Sequence, residues 1–229
     1  MMTSPGLITR LNYSVNINRM FVQLIFTNNK LEEFPAMYDF EYFEYLQKRS
    51  FLQKWVRFYF FVPLRPYLSG AVLDLGCGIG DVSKHVQNRE KYLGVDINPY
   101  CVKHLQQNSL KARLGSAYDI PSEDSSVDVI IMSHVLEHLD DPEKAMHEIS
   151  RVLKPMGLLI VIVPTIKGYS TDQTHKIFYD TDKLNRLANE NWYTPLSIST
   201  FPFNSDFFSK IFYFFEYRLI ARKNDASRS

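Results

Sequence analysis

The stretch 71-AVLDLGCGIGDVSKHV-86 constrains the fold of this chain more than any other. Residues 71–75 are an apolar run of strand length, and the chain then passes through Gly76, Gly78 and Gly80. Without a Cβ, glycine lets a backbone reverse tightly and approach a ligand closely. A glycine cluster by itself is weak evidence. Here it follows a strand and opens a segment, 81–88, expected to be helical. An acid, Asp96, closes the next strand 20 residues beyond Gly76. That is the spacing at which a carboxylate reaches the hydroxyls of a ribose. In an open α/β sheet the ligand lies outside the carboxyl ends of the strands, where this loop would sit.

Downstream the pattern keeps alternating. Strands are expected over 92–96, 111–115, 127–132 and 158–163, and a helix over 99–108 with Asn98 as its cap and Pro99 in its first turn. Asp141 and Pro142 open another helix that runs to Val152, and 154-KPMG-157 ends it. The run 127-VDVIIM-132 is apolar enough to be covered on both faces. Strands alternating with helices imply a parallel sheet with helices on both sides. The tail differs. After a helix over 180–189, the segments 193–203 and 212–222 read as strands with no helix between them, which implies an antiparallel hairpin at the sheet edge, because parallel neighbours need a crossover.

The N-terminal third does not share this rhythm. Residues 1–36 have no helical period and read as an irregular extension, with Met37 a possible true start; a strand-like arm is the alternative. Residues 37–67 read as an aromatic-rich helical cap, with 11 aromatics in 38–61. Leu52, Trp55, Val56 and Tyr59 recur at the spacing of one buried helix face, and Pro63 and Pro66 stop the helix. If this cap closes over an acceptor, its loss should impair transfer more than cofactor binding, with Tyr38, Phe40 and Tyr42 near the reacting group. The remainder, 68–229, forms the ligand-binding domain.

Charge narrows the partners. The 26 basic residues nearly match the 25 acidic ones, a net charge of +1, so nothing points to nucleic acid. Cys77 and Cys101 have no CxxC or Cys/His partner pattern, which argues against a disulfide framework and a structural zinc site and fits reduced thiols in the cytoplasm. A dinucleotide would want Gly or Ala where Asp81 stands, and the acids Asp74 and Asp81 would oppose a pyrophosphate at the helix N-terminus. They suit a ligand with cationic sulfonium and amino groups instead.

The pieces 72-VLDLGCGIGD-81, 94-GVDINP-99, 115-GSAYDIPSEDSSVDVIIMSHVLEHLDDP-142 and 151-RVLKPMGLLIVIVP-164, in this order, resemble the class I S-adenosylmethionine (SAM)-dependent methyltransferases of the ubiquinone/menaquinone-methyltransferase-like group, methyltransferase type 11. The resemblance covers roughly 68–222. It implies a Rossmann-like α/β fold, a seven-stranded sheet in which only the last inserted strand is antiparallel. It implies that Gly76 and Gly78 lie along the methionine part of SAM, that Asp96 takes the ribose hydroxyls, that Ser116 and Ala117 border the adenine, and that Ser133 faces the methyl-bearing side; Asp74 and Ile97 complete the expected cofactor-binding residues. Many relatives carry an acid at the position of Ser116, and Asp119 is the candidate to compensate.

The string 134-HVLEH-138 matches the H-x-x-E-H of some zinc proteases, but here it follows a buried strand rather than lying within a helix. Some quinone O-methyltransferases carry E-x-x-E-H at this place, linked to a divalent metal or to membranes. This chain has His134 instead of the first acid, and no metal is expected. His138 and His175 are the candidate catalytic residues; a loop-fixing or surface histidine is the alternative for each. The expected reaction is methyl transfer from SAM to a hydroxyl of a small molecule, a quinone-like lipid or a glycan. A SAM-binding regulatory protein without catalysis and an aminopropyl transferase are the competing classes. Lys48, Arg49, Lys54, Arg57 and Arg65 among the aromatics of the cap make a surface suited to peripheral membrane contact and a lipid-linked acceptor, with packing on the sheet as the alternative.

Overall fold

The computed structural model describes residues 40–205 and 215–225. The irregular extension, Tyr38 and the expected strand start at Phe212 lie outside the described residues. Two helices come first, α1 (Phe40–Gln47) and α2 (Phe51–Phe61), then a 3-10 turn over Val62–Tyr67. Ser50 breaks the pair with a capping box: its hydroxyl accepts from the Gln53 N–H, and the Gln53 side chain accepts from the Ser50 N–H at 2.6 Å.

The alternating unit follows: β1 (Val72–Leu75), β2 (Tyr92–Asp96), α3 (Pro99–Gln107), β3 (Ala112–Leu114), β4 (Val127–Ser133), α4 (Pro142–Val152) and β5 (Leu153–Pro164). The short turn α5 (Ile166–Tyr169), then α6 (Thr181–Glu190), β6 (Tyr193–Phe201) and β7 (Glu216–Lys223) complete the chain. The caps fall where the sequence puts them: Asn98 accepts from Tyr100 and Cys101 N–H groups, and Asp141 from Lys144. The seven strands are ordered β3-β2-β1-β4-β5-β7-β6. β7 pairs antiparallel with both neighbours and is inserted between β5 and β6, as expected for the edge hairpin; the other pairings are parallel.

Helices cover both faces. On one, Ala145, Met146 and Ile149 of α4 and Leu184, Leu187 and Ala188 of α6 pack on Leu73, Leu75, Ile130 and Met132. On the other, α3 packs Val102 and Leu105 on Tyr92 and Ala112, while Phe61, Leu64 and Leu68 cover Val72, Val129, Ile131 and Ile160.

Two expectations need correction here. Residues 81–88 hold no α-helix, only a 3-10 turn over Val82–Lys84. The space a crossover helix would fill is taken by α2 and the turn after it: His85 lies 4.6 Å from the Phe58 ring and 5.8 Å from Phe61, centroid to centroid, and the Gln87 N–H bonds to the Leu68 carbonyl. The face of α2 is also different. Leu52, Trp55 and Tyr59 are exposed, Trp55 by 50%, whereas Phe61 is 1% exposed and Phe60 is buried. The apolar spacing is real, but only Gln53, Lys54 and Arg57 interrupt the apolar residues of this helix, and Arg57 turns inward toward Asp81, so periodicity does not choose the inner face.

Candidate active site

The carboxyl ends of β1, β2 and β4 gather most of the expected residues. Gly76, Gly78 and Gly80 all have left-handed backbones, with φ of 74°, 50° and 82°. At Gly76 the requirement is also steric, because a Cβ would stand 2.3 Å from Val135 Cγ2. The Gly76 and Cys77 N–H groups both bond to the Val95 carbonyl, so the loop is laced to β2.

Asp96 joins loop and strand. Its Oδ2 accepts from the Gly78 N–H at 2.7 Å and its Oδ1 from the Asn98 N–H at 2.8 Å. A carboxylate oxygen has two lone pairs, so each oxygen keeps capacity for a hydroxyl donor. Burial raises the Asp96 pKa above the ordinary carboxylate value, opposed by these backbone donors. Ile97 beside it is exposed.

Asp74 points elsewhere than expected. It is buried and accepts the Tyr92 hydroxyl at 2.8 Å, and burial lifts its pKa to about 7. Asp81 serves the cap: Arg49 Nη1 donates to its Oδ2 at 2.8 Å, with Arg57 at 3.9 Å and Lys84 at 3.5 Å. Burial alone would raise the Asp81 pKa, but these cations outweigh it and lower it. Leu46 of α1 approaches Gly78, and Phe40 lies 5.2 Å from the Tyr100 ring on α3. The cap therefore rests on the glycine loop and α3. The sequence offered the basic residues of the cap but no sign that Asp81 was their partner.

Ser116 and Asp119 face each other through two backbone hydrogen bonds, and the Ser116 hydroxyl accepts from the Tyr118 N–H. The Ala117 methyl is buried in the core below β4, which leaves only its backbone to border a ligand. Ser133 ends β4 with a buried hydroxyl that has no hydrogen-bond partner, an exception to the usual satisfaction of buried polar atoms.

Beyond Ser133 lies a charged cluster. His134 has a left-handed backbone, φ 57°, and its ring stands 3.3 Å from both Glu137 and Glu216. Burial disfavours its charged form, but the two carboxylates prevail and raise its pKa to about 9. Glu216 also pairs with Arg218, whose guanidinium lies 3.6 Å from the centre of the Phe201 ring. Glu216 and Arg218 alternate on β7, which marks them for one face, but nothing in the sequence links them to His134.

The two candidate catalytic histidines, 37 positions apart in sequence, are neighbours: their ring centroids are 4.7 Å apart. The Glu137 carbonyl accepts the Lys176 and Ile177 N–H groups, which zips the two loops together. The His175 ring stacks on Tyr169 at 5.0 Å, with its Nδ1 2.8 Å from the Tyr169 carbonyl.

This sheet order, with a glycine loop after β1 and an acid after β2, defines the nucleoside-binding fold of class I methyltransferases. Residues 73–161 match a family model described as a methyltransferase domain, and the fold is that of class I SAM-dependent methyltransferases. It is 28% identical over 138 residues to ajmaline N-methyltransferase of Rauvolfia serpentina, covering 55% of this chain and 47% of that protein. It is 31% identical over 117 residues to demethylmenaquinone methyltransferase of Chlamydia pneumoniae, covering 47% of this chain and 51% of that one. The chain thus spans about half the length of these relatives. A SAM-dependent methyltransferase from Archaeoglobus fulgidus shares the fold, with a TM-score of 0.63 at 20% identity over 81% of this chain and 100% of that chain. Among the described residues no helix is long and apolar enough to cross a membrane.

Proposed function

We propose that this chain transfers the methyl group of SAM to a hydroxyl of a small acceptor, a quinone-like lipid or a glycan. The observation that carries the reading is Asp96: a carboxylate fixed by the Gly78 and Asn98 N–H groups, with lone pairs left for two ribose hydroxyls. Gly76 and Gly78 bring bare backbone to the methionine part of the cofactor, with Asp74 behind them. Ile97 covers the ribose side, Ser116 and Ala117 border the adenine, and the Ser133 hydroxyl faces the methyl-bearing side.

Methyl transfer from a sulfonium asks mainly for position, since the leaving group is already activated and attack is in line. A hydroxyl acceptor must also shed a proton as the new bond forms. His138 and His175 stand at the loop that follows Ser133 and supply that acceptor-side chemistry. The His175 Nδ1–H donates to the Tyr169 carbonyl, so Nε2 keeps a lone pair for the hydroxyl proton. The exposed row Phe51, Trp55 and Tyr59, with exposed Lys54, supports contact with an apolar carrier or membrane surface.

The test is a screen with SAM and quinols, phenols and glycans as acceptors, read as S-adenosylhomocysteine formed. Turnover with a hydroxyl acceptor, lost in Asp96→Ala, is expected. Cofactor binding with no turnover on any of these classes would refute the hydroxyl acceptor.

A further inference from the structure

The pair His138 and His175 has a third member. Glu137, His138 and His175 each offer one ligand atom, and these atoms lie within 4.8 Å of one another. Glu137 is 0% exposed, and neither of its carboxylate oxygens has a hydrogen-bond partner. Its ionic neighbours, His134 Nδ1 at 3.3 Å and His175 Nε2 at 3.8 Å, both approach Oε1, and Oε2 has no partner. Buried carboxylate oxygens are normally supplied with donors, so the unserved Oε2 asks for a missing partner.

The histidines are prepared for the same partner. His175 Nδ1 is 2.8 Å from the Tyr169 carbonyl, and His138 Nδ1 is 3.3 Å from the Thr174 carbonyl. A carbonyl only accepts, so in each neutral ring Nδ1 carries the hydrogen and Nε2 keeps its lone pair. Metal-binding histidines are fixed in this way, with the non-ligating nitrogen donating to a carbonyl or carboxylate. Asp172 extends the support: its Oδ1 accepts the Thr174 N–H and hydroxyl, and its Oδ2 lies 3.9 Å from His175 Nε2. Around a tetrahedral ion with bonds of about 2.1 Å, ligand atoms sit about 3.4 Å apart. The 3.8 Å between Glu137 Oε1 and His175 Nε2 needs a contraction of only a few tenths of an ångström.

We propose that Glu137, His138 and His175 bind one divalent cation of the zinc or manganese class, against the sequence expectation of no metal. Two imidazoles and one carboxylate are a nitrogen- and oxygen-donor set suited to such ions and leave at least one coordination position open. The binding stands on this geometry alone. What the open position holds rests on the proposed function: an acceptor oxygen, whose hydroxyl the cation would acidify so that its proton passes to water, the Nε2 lone pairs then binding the cation in place of the proton they would take without it.

The full chain, stripped with a chelator, is titrated with Zn²⁺ by calorimetry, without SAM or acceptor. One tight equivalent is expected, weakened at least tenfold in Glu137→Gln and in His175→Asn and unchanged in His147→Asn, which alters an exposed histidine on α4. Circular dichroism checks that each variant is folded, and His175→Asn carries the test where Glu137→Gln does not fold. Co²⁺ loading should give visible absorption bands that are absent from the folded variant. Absence of a tight equivalent, or equal affinity in wild type and folded variants, would overturn the site. A cation bound by a protein that transfers no methyl group would leave the site standing and count against the proposed reaction.

Discussion

Replacing Phe61 and Trp55 in turn tests which face of α2 the core uses. Phe61 is 1% exposed and packs with Leu64, Leu68, Val72 and Ile160 under the sheet. The Arg57 guanidinium lies 5.1 Å from the centre of its ring. Truncating a buried Phe to Ala removes its transfer free energy and leaves a cavity, together about 3–5 kcal/mol. Trp55 is 50% exposed and its ring contact is with Tyr59, at 4.3 Å. Its loss should cost about 1 kcal/mol or less, the scale of one aromatic pair near the surface. Urea unfolding followed by circular dichroism would read both. The expected result is a much lower midpoint for Phe61→Ala and a small shift for Trp55→Ala, with similar slopes. Equal losses, or a larger loss for Trp55→Ala, would refute the packing described. The same arithmetic governs truncation. Starting the chain at Pro66 removes Phe60, Phe61 and Leu64, all buried, and the summed loss approaches the whole stability of a typical domain, about 5–15 kcal/mol. That truncation should not fold, so it cannot separate a lid from a structural helix.

Arg49→Ala breaks the 2.8 Å contact with Asp81 while Arg57 and Lys84 remain nearby, so the fold should persist and SAM should bind roughly fivefold more weakly, about 1 kcal/mol, as calorimetry would read. An unchanged affinity would show that the cap does not support the glycine loop. Asp74 titrates at about 7 in the folded protein against a reference value of 3.8, because burial disfavours its charge. A raised carboxyl pKa costs stability as pH climbs from the unfolded value to the folded one, and the cost is complete above about 7. Asp74→Asn, which keeps an oxygen for the Tyr92 hydroxyl, should therefore be more stable than wild type above pH ~7, by up to about 4 kcal/mol, and lose that advantage near pH ~4. Thermal melts without ligand across this range check it; a constant difference would show that Asp74 titrates normally.

The sheet was legible because its strands carry dense apolar runs between unambiguous punctuation. Val127–Ser133 and Tyr92–Asp96 could hardly be anything but strands, and Asn98-Pro99 and Asp141-Pro142 mark helix starts by their own chemistry. The inserted antiparallel β7 followed from the absence of a crossover helix and from the family resemblance. What failed was decided by distant packing. Residues 81–88 have helix-compatible composition, but Phe58, Phe61 and Leu68 occupy that side of the sheet. The inner face of α2 was not legible because Arg57, which a sequence pattern assigns to solvent, turns inward toward Asp81. In the site, Gly76, Gly78, Asp96 and Ser133 sit where strand ends must put them. The nearness of His138 to His175, the bond from Arg49 to Asp81 and the chain His134–Glu216–Arg218 arise from loops and from β7, whose approach no local pattern encodes.

The most direct test of the central claim is calorimetry of the full chain with SAM, with S-adenosylhomocysteine and with NADH, repeated on Asp96→Ala. The two adenosyl ligands should bind near ~1 µM, about −8 kcal/mol, and NADH should give no heat. Asp96→Ala removes a carboxylate that also holds the Gly78 N–H, and charged hydrogen bonds of this kind are worth about 1.5–3 kcal/mol each. The folded variant should therefore lose at least tenfold in affinity for both adenosyl ligands. Absence of heat with SAM and S-adenosylhomocysteine beside tight NADH binding, or an unchanged affinity in the variant, would contradict the account.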